Sequence, residues 1–159
     1  MRRPNDAGDH IGGTGVKLSA APLLELSLNV AAPVDLGGRR CIAITGGKVS
    51  GQYSGQVLPG GADWQAISSD GTIEIDARYV LDLAEGKVEI RSTGLRSGDP
   101  EILARLAKGE TVDPDDYYFR TAIRFYTTAP ALDRLNRIMG VARGERGDDG
   151  VRIIIYEVM

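Results

Sequence analysis

Thr72-Ile73-Glu74-Ile75-Asp76-Ala77-Arg78-Tyr79-Val80-Leu81-Asp82-Leu83 is the stretch on which the fold turns. Ile73, Ile75, Ala77, Tyr79, Leu81 and Leu83 share one face of an extended chain. Glu74, Asp76, Arg78, Val80 and Asp82 share the other. A period of two residues belongs to a β-strand with one face buried, since a strand alternates its side chains between two sides. Asp70-Gly71 ahead of it is a hairpin-turn signal, and Glu85-Gly86 behind it turns the chain again.

The same pattern spreads outward. Downstream, Lys87 to Gly94 alternates, and Tyr117 to Thr128 reads as a long strand broken by Ala129-Pro130. Val141 to Glu145 is one more strand. Asp148-Asp149-Gly150 turns into the β-branched final strand Val151 to Val158. Upstream, Leu24, Leu26, Leu28 and Val30 alternate with Glu25, Ser27 and Asn29. Arg40 to Thr45 is a short strand, Gly46-Gly47 reads as a turn, and Val49 to Leu58 alternates around Gly51 and Gly55. Trp64 to Ile67 leads to the Asp70-Gly71 turn. Glycine inside a strand marks a bend or a close approach.

Two segments read as helical. Asp99-Pro100 opens the first, with Asp99 as the N-cap, Pro100 at the first position, and Gly109 as the stop. Ala131 to Ile138 is the second. No alternation of strands and helices is present, which argues against a parallel sheet. The chain is expected to be all-β: a closed antiparallel β-barrel of about eight or more strands with one or two short helices.

The chain has 159 residues, enough for one domain with a proper core. Residues 1–20 read as a flexible lead-in and 21–159 as a single β-barrel domain. The net charge of −3 disfavours nucleic acid as a partner, because that affinity rests on surplus Lys and Arg. No apolar run approaches the roughly 18 residues of a membrane span, so no membrane partner is expected. The opening Met1-Arg2-Arg3-Pro4 does not read as a signal peptide, and the location expected is cytoplasmic.

One Cys (Cys41) permits no internal disulfide. With one His (His10) beside it, neither a His/Cys metal site nor a His-based catalytic triad is expected. No cofactor is expected either. Gly12-Gly13-Thr14-Gly15-Val16-Lys17 superficially resembles a phosphate loop, but Lys17 is followed by Leu18 and no strand precedes it. Acid–base chemistry is left to Asp, Glu, Tyr, Lys and Arg.

The candidate site residues are those that put charge and aromatic rings on strands. Asp63, Asp76, Tyr118 and Arg120 are the catalytic candidates, the carboxylates as acid or base and the Tyr–Arg pair as an oxyanion or carboxylate binder. Trp64, Arg78, Tyr79 and Arg96 are the substrate-binding candidates. The roles of Asp76 and Arg78 depend on which face of Thr72–Leu83 looks inward, and the pattern leaves both faces open. If Ile73, Ile75 and Tyr79 fill the lumen, then Glu74, Asp76 and Arg78 face solvent or another subunit.

Pro59-Gly60-Gly61-Ala62-Asp63-Trp64-Gln65 is shared with a known pattern, as are Ile44 through Gly47, Asp76 through Tyr79, Gly94-Leu95-Arg96, Tyr117 through Thr121, Leu135-Asn136 and Tyr156 through Val158. On these blocks the chain resembles the bacterial domain-of-unknown-function 3237 family, from about Leu23 to Val158. Ile138-Met139-Gly140 departs from the family's more usual Phe-containing strand start. The resemblance implies a small antiparallel barrel similar to the allene oxide cyclase and dirigent class, whose members shape reactive small molecules in an apolar lumen and often form homo-oligomers.

The expected function is a cofactor-independent isomerase, cyclase or lyase acting on a small hydrophobic or aromatic metabolite. The alternatives are a non-catalytic carrier or sensor of an organic acid, and a structural protein whose charged faces make subunit contacts.

Overall fold

The computed structural model describes residues 15–159. The lead-in expected at residues 1–20, with His10 and the start of the glycine-rich segment, falls outside that range up to residue 14. Its last residues are tied to the barrel: Leu18 bridges to Val158, and the Ser19 N–H donates to the Glu157 carbonyl at 2.9 Å.

Among the described residues, ten strands form one antiparallel sheet. They are β1 (Leu24–Val30), β2 (Val34–Asp35), β3 (Arg39–Gly51), β4 (Gly55–Val57), β5 (Gly61–Ile67), β6 (Ile73–Leu83), β7 (Gly86–Gly98), β8 (Tyr117–Tyr126), β9 (Met139–Gly147) and β10 (Gly150–Val158). The sheet runs β1-β10-β9-β8-β7-β6, continues through β5 and β4 to β3, and closes when β3 pairs with β1. Eight strands make the closed barrel. β2 and β4 are short additions, β4 filling the gap below β5 between β3 and β6.

The first helix is α1 (Pro100–Ala107), and its N-cap is as expected, with Asp99 Oδ1 accepting from the Glu101 N–H at 2.9 Å. The second helical segment is a 3-10 helix, Pro130–Arg137, and a further 3-10 turn spans Pro114–Asp116. Asp70-Gly71 turns as expected, with the Thr72 N–H donating to Asp70 Oδ1.

The expected turn at Gly46-Gly47 is corrected: β3 continues unbroken through the pair. Both glycines have φ near +150°, and a Cβ on Gly47 would sit 2.0 Å from the Ser27 carbonyl oxygen. The pair is a bend that lets β1 close against β3, and the register shifts opposite it between Asn29 and Val30.

The structure decides between the two faces of β6. Ile73, Ile75, Ala77, Tyr79, Leu81 and Leu83 point into the barrel and are buried, while Glu74, Asp76, Arg78 and Asp82 are exposed on the outer wall. The physical reason is the core: six apolar groups on one face outweigh the alternative of desolvating four charges.

The two ends of the barrel differ. The end reached by the C-termini of β6 and β8 is filled by Leu24, Leu81, Val88, Ile90, Phe125 and Ile155, and the Pro130–Arg137 helix plugs it. Leu132 and Leu135 of that plug are fully buried, each stabilising by roughly 1.5–3 kcal/mol. At the other end α1 lies over the β5–β6 turn, with Leu103 against Gly71. The chain beyond it reaches the β9–β10 turn, where Thr111 Oγ1 donates to Asp148 Oδ1 at 3.0 Å. The polar groups of the lumen lie toward this second end.

Candidate functional site

Strand alternation puts Asp63 and Gln65 of β5 on the inner face and Trp64 on the outer one. The register places Asp63 between Ile42 of β3 and Ala77 of β6, both buried in the lumen. Arg40 lies opposite Gln65 on β3. These three form a chain: Arg40 Nε donates to Gln65 Oε1 at 2.7 Å, and Gln65 Nε2 donates to Asp63 Oδ2 at 2.6 Å. The other oxygen, Asp63 Oδ1, accepts from the backbone N–H of Asp76 at 3.2 Å. Burial pushes the Asp63 carboxyl above its ordinary value, against the opposing pull of these two hydrogen bonds and of Arg40.

Tyr79 stands two residues from Ala77 on the same face of β6, which makes it a diagonal neighbour of Asp63. Its ring has room because Gly61 lies opposite, where a Cβ would come within 2.6 Å of Tyr79 Cβ. Only 2% of Tyr79 is exposed, and its hydroxyl has no hydrogen-bond partner among the described residues. Burial, with the Asp63 charge nearby, raises its pKa far enough that it stays a neutral donor.

Arg96 enters from β7, opposite Ile73 on one side and Phe119 on the other. It is 6% exposed, and its Nε is buried with no partner among the described residues. Burial first, then the neighbouring guanidiniums of Arg146 and Arg40, pull its pKa down to about 10. Arg146 of β9 is half-buried and lines the same cavity. Among the described residues, none of Arg40, Arg96 and Arg146 makes an ion pair.

Ser92 and Thr121 complete the polar lining, with Ser92 Oγ donating to Thr121 Oγ1 at 2.8 Å. The rest of the wall is apolar and includes Leu28, Ile44, Ile75 and Phe119. The cavity is small, about 40 Å³ in volume. That holds a few waters, so a larger guest requires the long arginine side chains to shift. The lumen is filled at one end and narrowly open at the other.

The sequence candidates therefore divide. Asp63, Tyr79 and Arg96 meet in the lumen. Asp76, Arg78, Trp64, Tyr118 and Arg120 lie on the outer wall, because each sits on the opposite face of its strand from a buried neighbour. Trp64 is 54% exposed and Tyr118 is 52% exposed. Outside, Asp76 pairs loosely with Arg91 at 3.8 Å, and the Arg120 guanidinium stacks 5.2 Å from the Tyr118 ring centre. Asp76 still touches the site through its backbone N–H. Gln65, Arg40, Arg146, Ser92 and Thr121 were missing from the sequence-based set. Alternation from Asp63 would have found Gln65, but Arg40 and Arg146 need the barrel to close before they meet it. Among the described residues, no group of three His, Cys, Asp or Glu side chains is placed to hold a metal ion. No helix among them is long and apolar enough to cross a membrane.

Comparison with known proteins places this barrel. A family described as a protein of unknown function (DUF3237) matches residues 18–158. A UPF0311 protein of Rhodopseudomonas palustris is 40% identical over 131 residues, covering 81% of this chain and 86% of its own. One from Clostridium acetobutylicum is 37% identical over 125 residues, covering 77% and 79%. The crystal structure of a conserved protein of unknown function from R. palustris superposes with a TM-score of 0.85 at 37% identity, covering 90% of this chain and 98% of the other. A β-barrel-like protein of Acinetobacter baumannii gives 0.78 at 34% identity, covering 94% and 99%. An enzyme from Penicillium herquei gives 0.64 at 16% identity, covering 91% and 94%, which is a likeness of fold alone. The chain belongs to the DUF3237 family.

Proposed function

We propose that this barrel is a cofactor-independent isomerase, cyclase or lyase that moves a proton within a small hydrophobic or aromatic guest, with Asp63 as the base. The observation that carries the reading is that Asp63 and the unpartnered Tyr79 hydroxyl belong to side chains lining one cavity. Both carboxylate oxygens of Asp63 accept from N–H donors, which suits the ionised form and leaves a lone pair on each oxygen for a substrate proton. Burial raises its basicity. The unpartnered Tyr79 hydroxyl is a donor ready for an oxygen that gains negative charge as the proton leaves. Returning the proton at another atom completes an isomerisation or cyclisation; in a lyase step the electron pair left by the proton expels a leaving group, which takes the proton back from Asp63, and neither course needs an oxidant or reductant.

Thermal-shift screening of aromatic and terpenoid metabolites would find binders, and NMR would follow conversion of each to an isomer or to two elimination products. Asp63→Asn should lower turnover by about 10²- to 10⁴-fold, the usual share of a general base. Undiminished turnover in that variant would remove Asp63 from the chemistry.

The second reading is a non-catalytic carrier or sensor of an organic acid. The short Arg40–Gln65–Asp63 chain favours it, since it ties the carboxylate to its neighbours as a structural element would. Ligand-induced stabilisation with no conversion of any binder is its signature. We carry the cytoplasmic location as part of the proposal, together with a homo-oligomer whose contact includes the exposed outer Trp64, Leu95 and Tyr118.

A further inference from the structure

The charges of the lumen do not balance. Three guanidiniums, those of Arg40, Arg96 and Arg146, face the lumen carboxylate Asp63, and a second carboxylate, Asp35, stands opposite Arg40 on the exposed strand β2. Arg40 is already engaged through Gln65 with Asp63. Arg146 is half-buried and reaches water. Arg96 is left as a buried cation with an orphaned Nε and, among the described residues, no ion-pair partner. Folding does not ordinarily leave a guanidinium so, because desolvating an unpaired charge is costly. A site that keeps one is built to receive an anion.

We propose that the guest is a small organic monocarboxylate whose head group bridges Arg96 and Arg146, with its apolar body against Leu28, Ile44, Ile75 and Phe119. The inference rests on the lumen being the working site, but not on Asp63 being a base. A carboxylate fits because its two oxygens match the planar forks of guanidinium donors. A single charge fits because only one of the cations is buried and unpaired, and because Asp63 lines the same narrow space and repels a second negative charge. Arg96 lies opposite Ile73 of β6, and Asp63 lies opposite Ala77, four residues further along. Head group and reacting atom are therefore held at different points of one guest.

The test uses the full chain with benzoate, trans-cinnamate and hexanoate, each against its neutral primary amide, and with phenyl phosphate. Thermal shift and calorimetry read binding. The expected result is stabilisation by the acids and not by the amides. Arg96→Met and Arg146→Gln should each weaken acid binding by about ten- to a hundredfold, the scale of a lost charge-assisted hydrogen bond. Arg146 is half-exposed, so its variant reads out even if Arg96→Met folds poorly. Asp63→Asn should keep or tighten acid binding while losing any turnover.

Equal binding of acids and amides, no binding of any acid, or acid binding untouched by both arginine variants would overturn the proposal. Tighter binding of phenyl phosphate than of cinnamate would overturn the monocarboxylate. A neutral guest converted in an Asp63-dependent way would sink this inference and leave the proposed reaction standing.

Discussion

Gln65 Nε2 donates to Asp63 Oδ2 at 2.6 Å while Gln65 Oε1 accepts from Arg40, so one amide fixes the orientation of the lumen carboxylate and links it to a guanidinium. The amide N–H holds Asp63 in its charged form, and burial opposes it. Asp76, on the outer wall, acts in two ways: its backbone N–H stabilises the charge, and its side-chain carboxylate raises the proton affinity of Asp63.

The first prediction uses those opposite signs. Carbon-13 NMR titration should find the Asp63 carboxyl above the ordinary Asp value. Gln65→Leu should move it higher, because a bond to the charged form is lost. Asp76→Asn should move it lower, because a like charge is removed and the backbone donor remains. Any rate that needs ionised Asp63 falls on the acid side of that pKa, so the acid limb should shift upward in Gln65→Leu and downward in Asp76→Asn. Shifts in the same direction would contradict the assigned causes.

A second prediction follows from linkage. A group whose folded-state pKa is raised favours folding most at low pH, below its unfolded value. That contribution is lost as pH rises through the folded value. Asp63 therefore costs stability at neutral pH relative to an unperturbed carboxylate. Urea unfolding of the wild type and Asp63→Ala, compared from acid to neutral pH, should show the wild type losing ground to the variant as pH rises from the ordinary Asp range. A difference independent of pH would show that burial does not perturb Asp63.

Arg96 gives the third. Replacing a buried, unpaired guanidinium by an apolar side chain of similar length removes a desolvation cost. Exchanges of buried ionic groups for apolar ones stabilise by up to about 1–4 kcal/mol. Arg96→Met should raise the melting temperature of the ligand-free protein, by about 2–4 °C for each kcal/mol in a chain of this length. A fall would mean that Arg96 is satisfied in the empty lumen.

Most of the barrel was legible because the pattern has a single cause. One apolar face per strand must be covered, and β6 and β8 advertise theirs. Asp99 and Pro100 likewise state the start of α1 in local chemistry alone. Gly46-Gly47 misled because glycine serves turns and bends equally, and only the approach of Ser27 from another strand separates them. The site was half legible. Asp63, Tyr79 and Arg96 stood out as charged or polar groups on strands, but Asp76, Arg78, Tyr118 and Arg120 did so equally. Which set faces inward depends on the summed burial of a whole face, a property of the closed barrel. Arg40 and Arg146 were silent because 105 positions separate them and only the closed barrel brings them together.

The fourth prediction concerns the small residues of β9. The Phe119 ring lies over Gly144, and a Cβ there would come 2.4 Å from the ring. The ring belongs to the cavity wall beside Arg96. Gly144→Ala should cost about 1–3 kcal/mol by overpacking and displace Phe119. Denaturant unfolding measures the first effect, and weaker cinnamate binding reads the second. An unchanged midpoint would mean that β9 can yield.

The last prediction separates the two walls on one strand. Arg120 and Thr121 are consecutive in β8: the guanidinium lies outside against the Tyr118 ring, and the hydroxyl lies inside against Ser92. Arg120→Ala removes a charge, but from the solvent side of the wall, where screening is strong. Binding of cinnamate should stay within about twofold, since exposed charges seldom contribute more than a few tenths of a kcal/mol. Thr121→Val is nearly isosteric, yet it leaves the buried Ser92 hydroxyl without its acceptor next to the guest. That should cost stability by about 1–3 kcal/mol and alter cinnamate affinity. Calorimetry on the two variants decides it: a large loss in Arg120→Ala with Thr121→Val unaffected would return the site to the outer wall.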